Sequence, residues 1–308
     1  MSETKIPVSL VLGSGGARGL AHIGVIRAIH ESSRYEICAV SGSSIGALIG
    51  GLYAAGKLDK YEQWVKELSA TDVWKLLDFS FTNTGLFKGD RLMDKLSELV
   101  GDKDIADLNI AFTAVASDIG HRREVWLDSG PLFDAIRASI AIPGFFTPVQ
   151  HEGCTLVDGG LMSPLPVAPV KRIGASKIMV VSLNGNSSPP EHAERSPSKH
   201  ISASVSGPEG GLRGLLNGFR QRLGWESQGE DSDSAIDILS KSLEAMQDRI
   251  ARYQMAAYYP DILIEIPVTA CDVLDFHRAD EMIEFGYESA RDVLSRNDDQ
   301  QQEADHEK

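Results

Sequence analysis

Residues 39–56 read AVSGSSIGALIGGLYAAG. An apolar strand pattern, YEICAVSG (35–42), enters a turn that holds Ser41, Ser43 and Ser44. A small-residue helix pattern, SIGALIGGLYAAG (44–56), leaves it. G-x-S-x-G fits only with Ser44 at its centre, flanked by Gly42 and Gly46. Glycines at these offsets let the backbone fold back on itself and force the central side chain outward at the carboxyl end of the strand. Open α/β sheets place their ligands at that edge, and the N-terminal dipole of the following helix favours a developing negative charge. A second reading of the same residues is a serine-rich helix N-cap.

Upstream, KIPVSLVLG (5–13) reads as a buried strand and GLAHIGVIRAIHES (19–32) as a helix. Strand, glycine turn, helix, strand, tight turn, helix is the start of a parallel βαβ sheet. The first turn, GSGGARG (13–19), fits a dinucleotide phosphate cradle only loosely, and the next strand ends without the acidic residue that would bind ribose. The alternative is an oxyanion hole built from the backbone N–H groups of Gly15, Gly16 and Ala17. Neighbouring parallel strands would bring that turn and Ser44 to one sheet edge.

Further along, 59–103 is helical and charged around SFTNTGLFKGD, and 109–118 and 123–130 read as strands. A helix over 131–144 stops at Ile-Pro-Gly, and CTLVDGG (154–160) is a short strand ending in a turn. A strand over 177–183 precedes a Ser-, Pro- and Gly-rich stretch, about 184–234, expected to be a mobile insertion. Within it, 212–226 is amphipathic, with Leu212, Leu215, Leu216, Phe219 and Leu223 on one stripe and Arg213, Arg220 and Arg222 beside it. It is expected to be a lid, a peripheral membrane contact or a docking surface on the domain or another subunit. A long helix (235–258), a strand (261–268) and a final helix (277–296) follow, and the acidic tail 297–308 is expected to be disordered. The whole of 1–296 reads as a single domain.

Serine needs a base to become a nucleophile. His22 and His30 lie on the first helix, His151 in an expected loop, His192 and His200 in the insertion and His306 in the tail. Two candidates stand level. Asp158, in LVDGGLMSPLP, follows a short apolar strand; a free aspartate, with a pKa near about 3.9, becomes a useful base only in a dry pocket. His277 completes the chain order Ser44, Asp158, His277 of a hydrolase triad, and its other reading is a cap or core hydrogen bond.

Composition narrows the class. The formal net charge is -14 over 308 residues, which disfavours nucleic acid as a partner and strong attraction to anionic lipid. Cys38, Cys154 and Cys271 are far apart with no CxxC pair, so neither a disulfide framework nor a zinc site is expected. The sequence pattern shows no signal peptide and no apolar run long enough to span a bilayer, so a cytoplasmic location, peripheral to the inner membrane face at most, is expected.

In combination, LGSGGARGLAHIGVI, VSGSSIGAL, AIRASIAIPGFFTPV, LVDGGLMSPLPV and DILIEIPV…LDFHRADEMIEFGY resemble the motifs of the patatin-like phospholipases, in order and at suitable distances. The likeness is to the bacterial RssA-type branch related to neuropathy target esterase. It covers most of the chain. It implies a three-layer α/β/α fold with a mostly parallel central sheet, and hydrolysis of phospholipid or lysophospholipid acyl esters without metal or cofactor. It also implies a Ser–Asp dyad, Ser44 as nucleophile and Asp158 as base, with Gly15, Gly16 and Ala17 as oxyanion donors, and so decides against His277. Ser14 stands where plant patatins have glycine. Phe145 and Phe146 have two readings, acyl pocket or ordinary core. The competing classes are a lipid-binding or regulatory protein on the same fold and an acyltransferase.

Overall fold

The structure, a computed structural model, describes residues 5–76, 90–143, 145–185 and 235–306. The expected insertion beyond Gly185, the 212–226 segment and most of SFTNTGLFKGD lie outside the described residues.

The chain opens with β1 (Ile6–Leu12), a 3₁₀ turn (Gly16–Leu20), α1 (Ala21–Glu31), β2 (Tyr35–Ser43) and α2 (Ile45–Ala54). Then come α3 (Leu58–Lys66), α4 (Ala70–Leu76), α5 (Asp90–Val100), β3 (Ala111–Asp118), β4 (Arg123–Leu127) and α6 (Leu132–Ser139). Next are β5 (Val149–His151), β6 (Cys154–Asp158), α7 (Val167–Lys171) and β7 (Lys177–Gly185). The chain closes with α8 (Ala235–Tyr258), β8 (Ile262–Pro267) and α9 (Ala279–His306).

One mixed sheet runs β5-β6-β3-β2-β1-β7-β8, with β4 on β3. Strands β3, β2, β1, β7 and β8 pair in parallel, while β4, β5 and β6 join antiparallel. The expected βαβ start is borne out, with Leu12 opposite Gly42 in register. Strand alternation builds the layers. Leu10 and Leu12 of β1 and Met179 and Val181 of β7 face the larger core with α1, α2, α6 and α9, whereas Val11 and Val180 face Val167, Val170 and Ala251 of α7 and α8. The fold is thus α/β/α in three layers around a mostly parallel sheet.

Two local expectations change. His151 ends a short strand, β5, because 149–151 pairs with 154–156 in a hairpin. The last helix continues to His306 where a disordered tail was expected. Its first extra turn is held at the start of β2 and the residue before it: Asn297 Nδ2 donates to Tyr35 Oη at 2.9 Å and Arg34 pairs with Asp298 at 2.8 Å. Those partners lie far back in the chain, so local composition does not announce them.

Candidate active site

The three serines of the turn have three different environments. Ser41 Oγ donates to the Pro166 carbonyl at 2.6 Å, and Ser43 Oγ is buried without a hydrogen-bond partner. Ser44 alone meets a carboxylate: its Oγ donates to Asp158 Oδ2 at 2.5 Å. Ser44 has φ 56° and ψ -124°, a conformation costly for any residue with a Cβ and typical of sites where surrounding packing imposes it. The flanking glycines explain how it is imposed. A Cβ on Gly42 would lie 2.2 Å from the Gly46 carbonyl oxygen, and one on Gly46 would lie 2.1 Å from that of Leu12. Both positions need bare backbone for the strand, turn and helix to close on one another.

Sheet register brings Asp158 to Ser44. Ser43 is opposite Val115 of β3, and Asp158 of β6 is opposite Ala116, the next residue of the same strand. The Asp158 N–H donates to the Ala141 carbonyl at 2.9 Å, and Asp158 Oδ1 accepts from the Gly160 N–H at 2.7 Å. Burial is the main influence on this carboxyl and pushes its pKa up to about 6, against the opposing hydrogen bonds from Ser44 and Gly160. Ser44 and Asp158 are 6 % and 5 % exposed, so the pair sits in a largely dry environment. Such a carboxylate is a stronger base toward a neighbouring hydroxyl than one in water.

A residue unmarked by the sequence reading completes the elbow. Ser139, at the end of α6, accepts the Ser44 N–H at 3.0 Å and donates to the Val115 carbonyl at 2.6 Å. It is fully buried and bridges β3 to the turn. It lies inside the AIRASIAIPG block, but nothing local distinguishes it from any other helical serine.

The glycine turn stands beside Ser44, as the β1–β2 register requires. Among the described residues no backbone carbonyl accepts the N–H of Gly15 or Gly16. Ala17 corrects the expectation: its N–H donates to the Val273 carbonyl at 2.9 Å and is spent there. The segment after β8 folds over the turn, and a Cβ on Gly16 (φ 58°) would lie 2.4 Å from Val273 Cγ1. Arg18 is also buried, and its guanidinium donates to the carbonyls of Gly15 at 3.3 Å and Leu183 at 3.3 Å, bracing the turn.

The imidazoles of the described residues are engaged or exposed. His22 Nε2 lies 2.9 Å from the Gly13 carbonyl, so Nε2 carries the proton; burial lowers its pKa to about 4 against the opposing effect of that carbonyl. His277 is exposed in the turn before α9. Phe146 is buried and Phe145 half-buried in a small apolar cluster with Val73, Ile142 and Phe276. No described helix is long and apolar enough to cross a membrane.

A family model described as patatin-like phospholipase matches residues 10–171, just over half of the 308-residue chain. An uncharacterized NTE family protein of Mycobacterium bovis is 36% identical over 93% of this chain and 91% of its own length. The lysophospholipase nte1 of Emericella nidulans is 35% identical over 56% of this chain, which is 12% of that much longer protein. Matched in sequence over its βαβ core and by a relative of similar length over nearly all of it, the chain belongs to the patatin-like phospholipase family.

Proposed function

We propose that this protein is a serine hydrolase that cleaves fatty-acyl esters of phospholipids or lysophospholipids. The observation that carries the reading is the 2.5 Å hydrogen bond from Ser44 Oγ to the buried Asp158 carboxylate. Family membership, and the lysophospholipase names among relatives, support a lipid ester as substrate.

In this reading Asp158 takes the Ser44 proton as Oγ attacks the ester carbonyl carbon. Negative charge collects on the former carbonyl oxygen, facing the N–H groups of Gly15 and Gly16 and the positive end of α2. Collapse expels the alcohol, which leaves with the proton from Asp158. A water then gives its proton to Asp158 and attacks the acyl-enzyme, releasing the fatty acid and restoring Ser44. Arg18 and Ser139 hold the donors and the nucleophile in place. Phe145 and Phe146 supply apolar surface for the acyl chain.

The test is labelling with a fluorophosphonate, with the adduct mapped by mass spectrometry and short-chain ester turnover measured alongside. Wild type is expected to label at Ser44; Ser44→Ala and Asp158→Asn lose label and turnover, and His277→Ala keeps both. An adduct elsewhere, or its survival in Ser44→Ala, would overturn the nucleophile. Loss in His277→Ala would restore the triad.

A further inference from the structure

Cys154 has one histidine near it in sequence, His151, and no second cysteine, and that spacing alone gave no reason to read it as a metal ligand. Pairing of β3 with β6 changes its surroundings. Asp118 ends β3 and lies opposite Leu156, two residues into β6 from Cys154. His121 sits on the β3–β4 turn directly above Asp118. One donor atom from each of Asp118, His121 and Cys154 lies within 4.8 Å of the other two.

We propose that Asp118, His121 and Cys154 form a zinc-binding site that staples β3 to β6. Carboxylate, imidazole and thiolate together are the donor set of a borderline-soft divalent ion, not of magnesium or calcium. The distances fit. His121 Nδ1 is 2.7 Å from Asp118 Oδ2 and 3.9 Å from Cys154 Sγ. Tetrahedral zinc with ordinary bond lengths sets N and O about 3.3 Å apart and N and S about 3.6 Å apart. The N···O pair must open by about 0.6 Å and the N···S pair close by about 0.3 Å, and the His121 side chain, 65% exposed on a turn, can make these shifts.

The surrounding shell is also in place. Asp118 is fully buried, and its other oxygen, Oδ1, accepts the N–H groups of Gly120 at 3.1 Å and His121 at 3.2 Å. That leaves Oδ2 fixed and directed at the imidazole. Arg123 holds the metal's place: its Nε is 3.5 Å from Asp118 Oδ2 and its Nη2 is 3.9 Å from Cys154 Sγ, on a side chain 63% exposed and able to swing out. On binding, the Cys154 thiol proton passes to solvent and a neutral His121 keeps its proton on Nε2. The fourth position opens toward solvent on the His121 side and takes water. The consequence is structural: the ion ties the start of β6, the strand that ends in Asp158, to the end of its neighbour.

The experiment uses the full chain stripped of metal by chelation and dialysis. Zinc is titrated calorimetrically and cobalt(II) spectroscopically into wild type, Cys154→Ser and His121→Ala. Both substitutions are at solvent-accessible positions. One equivalent of zinc is expected, with a thiolate-to-cobalt charge-transfer band in wild type. The band disappears in Cys154→Ser, and zinc affinity falls at least tenfold in both variants. Zinc raises the melting temperature of wild type and leaves that of Cys154→Ser unchanged. No saturable zinc binding in wild type, or a loss of less than tenfold in either variant, would overturn the proposal; the second result would place the metal on other residues, such as the histidines at 192 and 200.

Discussion

Ser44 donates its backbone N–H to Ser139 Oγ at 3.0 Å, so the residue at the sheet edge is gripped from α6 as well as from its own strand. The same hydroxyl donates to Val115 at 2.6 Å. Ser139→Ala leaves a buried N–H and a buried carbonyl without that partner, at a cost of roughly 1–3 kcal/mol each before any relaxation. Denaturant unfolding should show a loss in this range. Ester turnover should fall about tenfold or more with KM little changed, because Ser139 holds the proposed nucleophile, Ser44, and is itself fully buried. Wild-type turnover in a destabilised Ser139→Ala would show that the grip is structural only.

The pH dependence follows from Asp158. Burial raises its folded pKa to about 6 from the ordinary 3.8 of an aspartate, so the fold favours the protonated acid. The stability linked to this group is therefore full below about pH 4 and is lost as pH rises through 6. Relative to Asp158→Asn, which does not titrate, wild type should lose up to roughly 3 kcal/mol between about pH 4 and about pH 8. In the proposed mechanism catalysis needs the carboxylate and runs the opposite way: kcat/KM should rise through an acid limb near 6. A limb near 4, or one that persists in a residual activity of Asp158→Asn, would assign the titration to another group.

Gly16→Ala should be far more damaging than an ordinary glycine substitution. The position has φ 58°, and the new Cβ would meet Val273 Cγ1 at 2.4 Å and the Val273 carbonyl oxygen at 2.5 Å. Relief requires the turn to move and its N–H groups to swing with it. Loss of one aligned donor lowers turnover by about 100- to 1,000-fold. Val273→Ala alone should fold and retain activity, and the double variant should recover little, since the backbone carbonyl clash and the φ remain. Full rescue by Val273→Ala would show that the obstacle was only the side chain.

Ending the chain at Arg296 removes Asn297 and Asp298, and with them the hydrogen bond to Tyr35 and the ion pair to Arg34. Both contacts are partly exposed, so the expected loss is about 1 kcal/mol in all, screened by salt for the ion pair. Turnover should not change, because these contacts lie at Tyr35 and Arg34, at or before the start of β2, whereas Ser44 follows its end. Thermal unfolding at low and high salt, with ester turnover alongside, checks both parts.

The division between local and distant information explains what could be read in advance. The glycine turn, the elbow and their common sheet edge were legible because each is a short-range pattern: strand period, bare backbone, helix period. Asp158 was visible as an aspartate in a tight turn, but residue chemistry alone left it level with His277. Its placement beside Ser44 comes from Ser43 lying opposite Val115 and Asp158 opposite Ala116 on one strand. The Ala17 donor was misjudged because its partner, Val273, arrives from the far end of the chain. Ser139 and the Asp118–His121–Cys154 group went unseen for the same reason.

By itself, then, the sequence determined the βαβ opening, the serine able to project from it and the glycines that let it do so. Those properties depend on steric limits acting over a few residues. The tertiary structure decided which acid meets the serine, which N–H groups remain unspent and how the last helix is tied down. These depend on strand register and on contacts between segments more than a hundred residues apart, and no local propensity encodes such distances.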